Sequence, residues 1–268
     1  MTENMDELSA AWIARRQLVT RRHVVAGAAA LATGVAAQTL FSGEASAAGY
    51  MTPANLLTPV KNQHTCNACT AFAVVAAIET TYYRKFPPAA GADILNLSEG
   101  QLFFAAGPKA ACNATHWWPE DALAYCLKVG LAREDQETFV DNQNQLLKIG
   151  KASRLVRPKL KDTQDEMRKW ISATGPVIAV MAEYSDFFNY NGGTTAYYPG
   201  VGGGTPYLVG GHVLAIVGYD GNPANGYWIC KNSYGKSWNG NGYVNIAYGG
   251  SAADDALIDQ IDVWGVSF

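Results

Sequence analysis

A cysteine that opens a long apolar run with few helix breakers constrains this chain more than any other feature. Cys69 is followed by the Ala-rich stretch 70–83, with Phe72, Val75, Ala76 and Glu79 at helical spacing, and the run stops before Pro87-Pro88. The pattern predicts a helix over 70–83 with the cysteine at its N-terminus. The unpaired backbone N–H groups of a helix start favour negative charge, and the thiolate is the reactive form of a cysteine. An amide side chain, Gln63, stands six residues upstream in the tract Thr58-Pro59-Val60-Lys61-Asn62-Gln63-His64-Thr65-Cys66.

The flanking sequence divides into two halves. Ser98 is an N-cap candidate for a short helix, and 119–129 reads as another, with Pro119 in its first turn and Gly130 as terminator. After a charged helix at 162–173 the period changes. The segments 175–182, 212–219, 226–231 and 242–247 read as strands separated by Gly and Asn turns, suggesting a barrel-like antiparallel sheet. The Gly-rich stretch 192–211 runs straight into His212, so it is expected to overhang that residue and is the candidate for restraining activity.

Residues 1–47 stand apart. Arg15-Arg16 and Arg21-Arg22 form a basic n-region, 24–37 is moderately apolar, and Ala45-Ser46-Ala47 is a small-residue cleavage pattern. Thr20-Arg21-Arg22-His23-Val24-Val25 resembles a twin-arginine export signal, with Val24 and Val25 where Phe and Leu are usual. A bacterial, exported protein (periplasmic or extracellular) is expected. The apolar run is shorter than the roughly 20 strongly apolar residues of a membrane span, so no stable membrane anchor is expected. Removal of 1–47 leaves 48–268 as one catalytic domain of about 220 residues, large enough for two lobes and a sizeable core. The net charge is −3 with no basic stripe, which argues against a nucleic-acid partner.

Two later segments supply the partners a reactive thiol needs: Gly211-His212-Val213-Leu214 and Cys230-Lys231-Asn232-Ser233-Tyr234-Gly235. A histidine takes the thiol proton, and an amide oxygen on its other nitrogen orients the ring. Cysteine, histidine and asparagine in that order, with a glutamine ahead, resemble the papain-like cysteine proteases over roughly 55–250. His212 follows Cys69 by about 140 residues, inside the roughly 130–150 of that family.

The resemblance implies an α+β fold. A helical lobe (about 60–150) packs on an antiparallel β-barrel-like lobe (about 151–266), with the active-site cleft between them. It implies a thiol peptidase: Cys69 as nucleophile, His212 as base, Asn232 as orienter, and Gln63 with the Cys69 N–H as oxyanion donors. It pairs Cys66 with Cys112 in a disulfide. It places Ala114, Thr115, Trp118, Val213 and Trp238 along the substrate, with a bulky apolar preference near Trp118, Pro119 and Val213. No metal or cofactor is implied, and a monomer acting on peptide or protein substrates is expected.

The chain also departs from the family pattern. Thr70 stands where the nucleophile is usually followed by Trp, Tyr234 replaces the first Trp of the C-terminal motif, and the family's CNGG reads Cys112-Asn113-Ala114-Thr115. Two other functions stay open: a weak or inactive papain-fold peptide-binding protein, and a cell-wall amidase using the same dyad. Cys66-x-x-Cys69 has no second CxxC and no surrounding βαβ pattern, which speaks against a zinc or redox motif. Cys126 and Cys230 are expected as buried thiols, and His64 and His116 as solvent-facing loop residues.

Overall fold

Helix α1 (Cys69–Lys85) is apolar around nearly its whole circumference, and a helix of that kind has to be surrounded. In the computed structural model it is. The model describes residues 49–89, 92–107, 112, 117–134, 146–155, 157, 159–221, 226–249 and 256–268. The expected leader, together with Asn113, Ala114, Thr115 and His116, lies outside them.

On one side α1 packs with α2 (Glu99–Ala106) and α3 (Pro119–Lys128). Ser98 caps α2 by accepting from the Gln101 N–H at 3.0 Å, and Pro119 occupies the first turn of α3. Gly130 takes φ +97 just past α3, a left-handed conformation that suits glycine.

On its other side α1 meets an antiparallel sheet with seven strands among the described residues. The strands are β1 (Tyr50–Met51), β2 (Lys151–Arg154), β3 (Val177–Tyr184), β4 (Leu208–Asp220), β5 (Tyr227–Lys231), β6 (Tyr243–Ala247) and β7 (Val263–Ser267). They run in the order β2-β7-β3-β4-β5-β6, with β1 added beside β4. Side chains alternate across a strand, so the central strands β3, β4 and β7 serve two cores. Ile178, Val180 and Ala182 of β3 join the core built on α1–α3. Val177, Ala179 and Met181 join a second core with Leu214 and Ile216 of β4, Trp228 and Cys230 of β5, and Met167 and Ile171 of α4 (Leu160–Ala173). The site lies where α1 starts against β4.

The sequence pattern marks α1–α4 and β3–β6 but not β1, β2 or β7. The first has two residues. The second, Lys-Ala-Ser-Arg, is polar and outward-leaning, and it is held by pairing with β7 rather than by an apolar face. Cys66 and Cys112 are joined by a disulfide, their Cα atoms 4.3 Å apart. The Gly-rich stretch is pinned rather than loose. Tyr197 is fully buried and bridges to Ile246, and Asp186 holds both the Tyr197 hydroxyl (2.7 Å) and the Gly200 N–H (2.8 Å). Among the described residues no helix is long and apolar enough to cross a membrane.

Candidate active site

The nucleophile candidate is fixed from two directions. Cys69 is the first residue of α1, whose N-cap, Ala68, offers no side-chain acceptor to the first-turn N–H groups. These are left facing the sulfur side of the helix end. The turn before it is clamped by the disulfide and by the Asn67 N–H bonded to the Cys112 carbonyl at 2.7 Å. Behind it the buried Thr70 hydroxyl donates to the Trp117 carbonyl, so the residue that replaces the family's tryptophan ties α1 to the chain entering α3.

His212 lies within β4, opposite Met181, and is buried. Asn232 follows β5. Its amide orientation is set by a neighbour: the Ser233 N–H is a donor, so the atom it meets at 2.8 Å must be the oxygen, Oδ1. The same oxygen is 2.9 Å from Nε2 of His212, which must therefore carry a proton. In the neutral ring Nδ1 is then the free acceptor, on the side that hydrogen-bonds the Cys69 sulfur. Burial pulls the imidazolium down, but Glu183, the Cys69 sulfur and Asn232 together outweigh it and hold His212 up at about 9. An ion pair with a thiolate requires the ring in its charged form, which is the direction in which these neighbours push it.

Gln63 reaches the site because its segment pairs with the chain after Asn232. The Gln63 N–H bonds the Ser233 carbonyl (2.8 Å) and the Gly235 N–H bonds the Lys61 carbonyl (3.1 Å). The Gln63 side-chain oxygen accepts from the Ser233 hydroxyl, and one Nε2 hydrogen goes to the Cys66 carbonyl at 2.8 Å. An amide nitrogen has two hydrogens, so a second is left to donate. Below this segment a buried charge network locks the parts together. Lys231 donates to the Thr58 carbonyl (2.7 Å), Thr58 to Glu79 (2.5 Å), and Lys61 to Glu99 (2.8 Å).

Aromatic rings seal the histidine. Tyr234 packs on it at 4.9 Å and Phe187 at 5.8 Å, and Trp238 stands edge-on to Tyr234 at 5.6 Å, with its indole N–H on the Phe188 carbonyl. The remaining expected residues divide. Trp118 is half-buried and caps α3. Val213 is buried and lines, with Phe72 and Ala73 of α1, a small partly open pocket. Ala114 and Thr115 lie outside the described residues. Cys126 is buried, which pushes its thiol up to about 12, and burial also pushes up Cys230; both are core thiols. His64 is exposed. Sequence reasoning missed Glu183 and Ser233. The alternation of β3 from Ala179 through Met181 to Glu183 was the available signal for the first, and the step from Asn232 to the next residue for the second.

Comparisons with known proteins bear on the family and the fold. The model described as Papain family cysteine protease matches residues 48–259. Cysteine proteinase B of Leishmania mexicana is 28% identical over 209 residues, covering 73% of this chain and 43% of that protein. The viral cathepsin of Cydia pomonella granulosis virus is 31% identical over 195 residues, covering 71% and 54%. The structure of digestive procathepsin L2 proteinase from Tenebrio molitor larval midgut superposes with a TM-score of 0.66 at 25% identity, covering 85% of this chain and 70% of that one. The chain spans about half the length of the curated relatives it matches. These relatives are eukaryotic or viral, so they lend no support to a bacterial origin.

Proposed function

The chain belongs to the papain family of cysteine proteases, and we propose that it is an exported thiol peptidase that cleaves peptide bonds through an acyl-enzyme. The observation that carries this reading is one buried ring, His212, held at Nε2 by Asn232 and hydrogen-bonded to the sulfur of Cys69. The Cys69 thiolate attacks the peptide carbonyl carbon. The oxyanion that forms is stabilised by the Cys69 N–H and the remaining Gln63 Nε2–H. His212, protonated at Nδ1, gives that proton to the leaving amine, then removes one from the water that attacks the thioester. Asn232 keeps the ring aimed through both steps.

The substrate is a peptide or protein. Trp118 and Trp238, together with Ala114 and Thr115, are the residues proposed to meet it, with a bulky apolar side chain preferred beside Trp118; Val213, buried in the core, is left out of that set. Export is supported by the leader-like 1–47 and by the Cys66–Cys112 disulfide, which persists in oxidising compartments. The test is to treat the exported protein with an epoxide cysteine-protease inhibitor and locate the adduct by mass spectrometry. Modification of Cys69, with matching loss of peptide hydrolysis, is the expected result. Modification at Cys126 or Cys230, or hydrolysis surviving in Cys69→Ala, contradicts it.

A further inference from the structure

We propose that Glu183 is a positioning residue of the Cys69–His212 pair: its carboxylate, held by Tyr234, keeps His212 in the charged form and so sets the pH range over which the ion pair exists. This rests on the assignment of Cys69 and His212 given above.

The placement follows from the strand register. Met181 lies opposite His212 and Glu183 opposite Gly210. Residues two apart on a strand share a face, so Glu183 stands on the face that carries Met181 and His212. Gly210 puts no side chain in the space across from Glu183. The carboxylate leans diagonally into it and brings Oε1 to 3.9 Å from Nδ1 of His212. The ladder shifts register directly after Glu183, which ends the regular pairing beside the site.

The Tyr234 hydroxyl donates to this same oxygen, while its ring covers His212 at 4.9 Å. One tyrosine thus shields the imidazole and fixes the carboxylate next to it. The resemblance to the family puts a tryptophan at this position; here it is a phenol whose hydroxyl reaches the carboxylate. Both charged groups are buried, Glu183 6% and His212 2% exposed, and attraction between buried charges is weakly screened. The other groups facing His212 are Cys69 from α1, Asn232 after β5, and the rings of Phe187 and Tyr234. Asp186, the neighbouring carboxylate on this side, is committed to Tyr197 and the Gly200 N–H. Glu183 also acts on the Tyr197 phenol, pushing it upward behind burial and Asp186. For His212, burial works against the charge and Glu183 is the largest influence in its favour.

A negative charge beside the pair raises both limbs of the activity profile. It makes the thiol harder to ionise at the acid side and the imidazolium harder to deprotonate at the basic side. Glu183→Gln keeps the shape and an acceptor for Tyr234 but removes the charge. Its profile of kcat/KM for a fluorogenic peptide, and of Cys69 alkylation by iodoacetamide, is expected to move as a whole to lower pH by about one unit. KM is expected to stay unchanged. Tyr234→Phe, which frees the carboxylate without removing it, is expected to give a smaller shift in the same direction, and it carries the test if Glu183→Gln fails to fold. A purely structural role for Glu183 leaves both limbs in place. Limbs that coincide with wild type in an active, folded variant overturn this proposal alone. A wild-type protein with neither hydrolysis nor a reactive Cys69 overturns the site assignment and this proposal with it.

Discussion

Replacing Asn232 with alanine separates the cost of orienting His212 from the cost of packing around it. The amide oxygen serves two buried donors, the His212 Nε2–H at 2.9 Å and the Ser233 N–H at 2.8 Å. Asn232 is 3% exposed, and Tyr234, Phe187 and Trp238 close the surroundings, so water has little access to replace it. Each orphaned donor costs about 1–3 kcal/mol. One offset exists: among the described residues Asn232 Nδ2 is itself buried without a hydrogen-bond partner, and the substitution removes it. The net loss of stability is therefore about 1–3 kcal/mol. Activity falls for a different reason. The bond to a charged imidazole contributes about 1.5–3 kcal/mol, and losing it in the transition state corresponds to roughly 10–10² in kcat/KM. Hydrolysis of a fluorogenic peptide gives the second number, and urea unfolding followed by tryptophan fluorescence gives the first. A variant whose stability drops as expected but whose kcat/KM stays near wild type refutes the orienting role.

Gln63→Ala is expected to lower kcat by roughly 10²–10³ with little change in KM, because the donor acts on an oxyanion absent from the ground state; a rise in KM alone would place Gln63 in substrate binding. Thr70→Val is expected to lower stability by about 1–2 kcal/mol through the lost bond to the Trp117 carbonyl, with kcat close to wild type; a fall in kcat at unchanged stability would move Thr70 into the chemistry. Burial, against the pull of Lys61, raises Glu99 from 4.5 to about 7. The folded state then holds a proton there that the unfolded state has released, so this group's contribution falls as pH rises from about 4.5 to about 7 and is level beyond. Unfolding free energies from urea titrations across that window should fall more steeply in wild type than in Glu99→Gln, by up to a few kcal/mol; parallel curves would contradict the assignment.

Helix α1 was legible because its signal is local: an Ala-rich run, a proline stop and a cysteine at the start. Strands β3–β6 carried apolar runs bounded by glycines, whereas β2 carries no apolar face and exists only through its pairing with β7. The four residues Gln63, Cys69, His212 and Asn232 were findable because each sits in a distinctive short tract. The structure adds the contacts that make them a unit, such as the Ser233 N–H that fixes the Asn232 amide. Glu183 was hidden because an acidic residue at a strand end reads as solvent-facing. Only the register against Gly210 and the hydroxyl of Tyr234 turn it inward. Val213 shows the reverse: a residue expected along the substrate lies in the core between β4 and α1.

The central claim, that Cys69 is a thiolate held by His212, is tested most directly by the pH dependence of Cys69 alkylation with iodoacetamide in wild type and His212→Ala. The thiolate is the species that reacts. In wild type the account predicts rapid modification of Cys69 already near pH 6, while the buried Cys126 and Cys230 stay unmodified. In His212→Ala it predicts that reactivity appears only as pH rises toward the ordinary thiol value near 8.5. Superimposable profiles for the two proteins would contradict it.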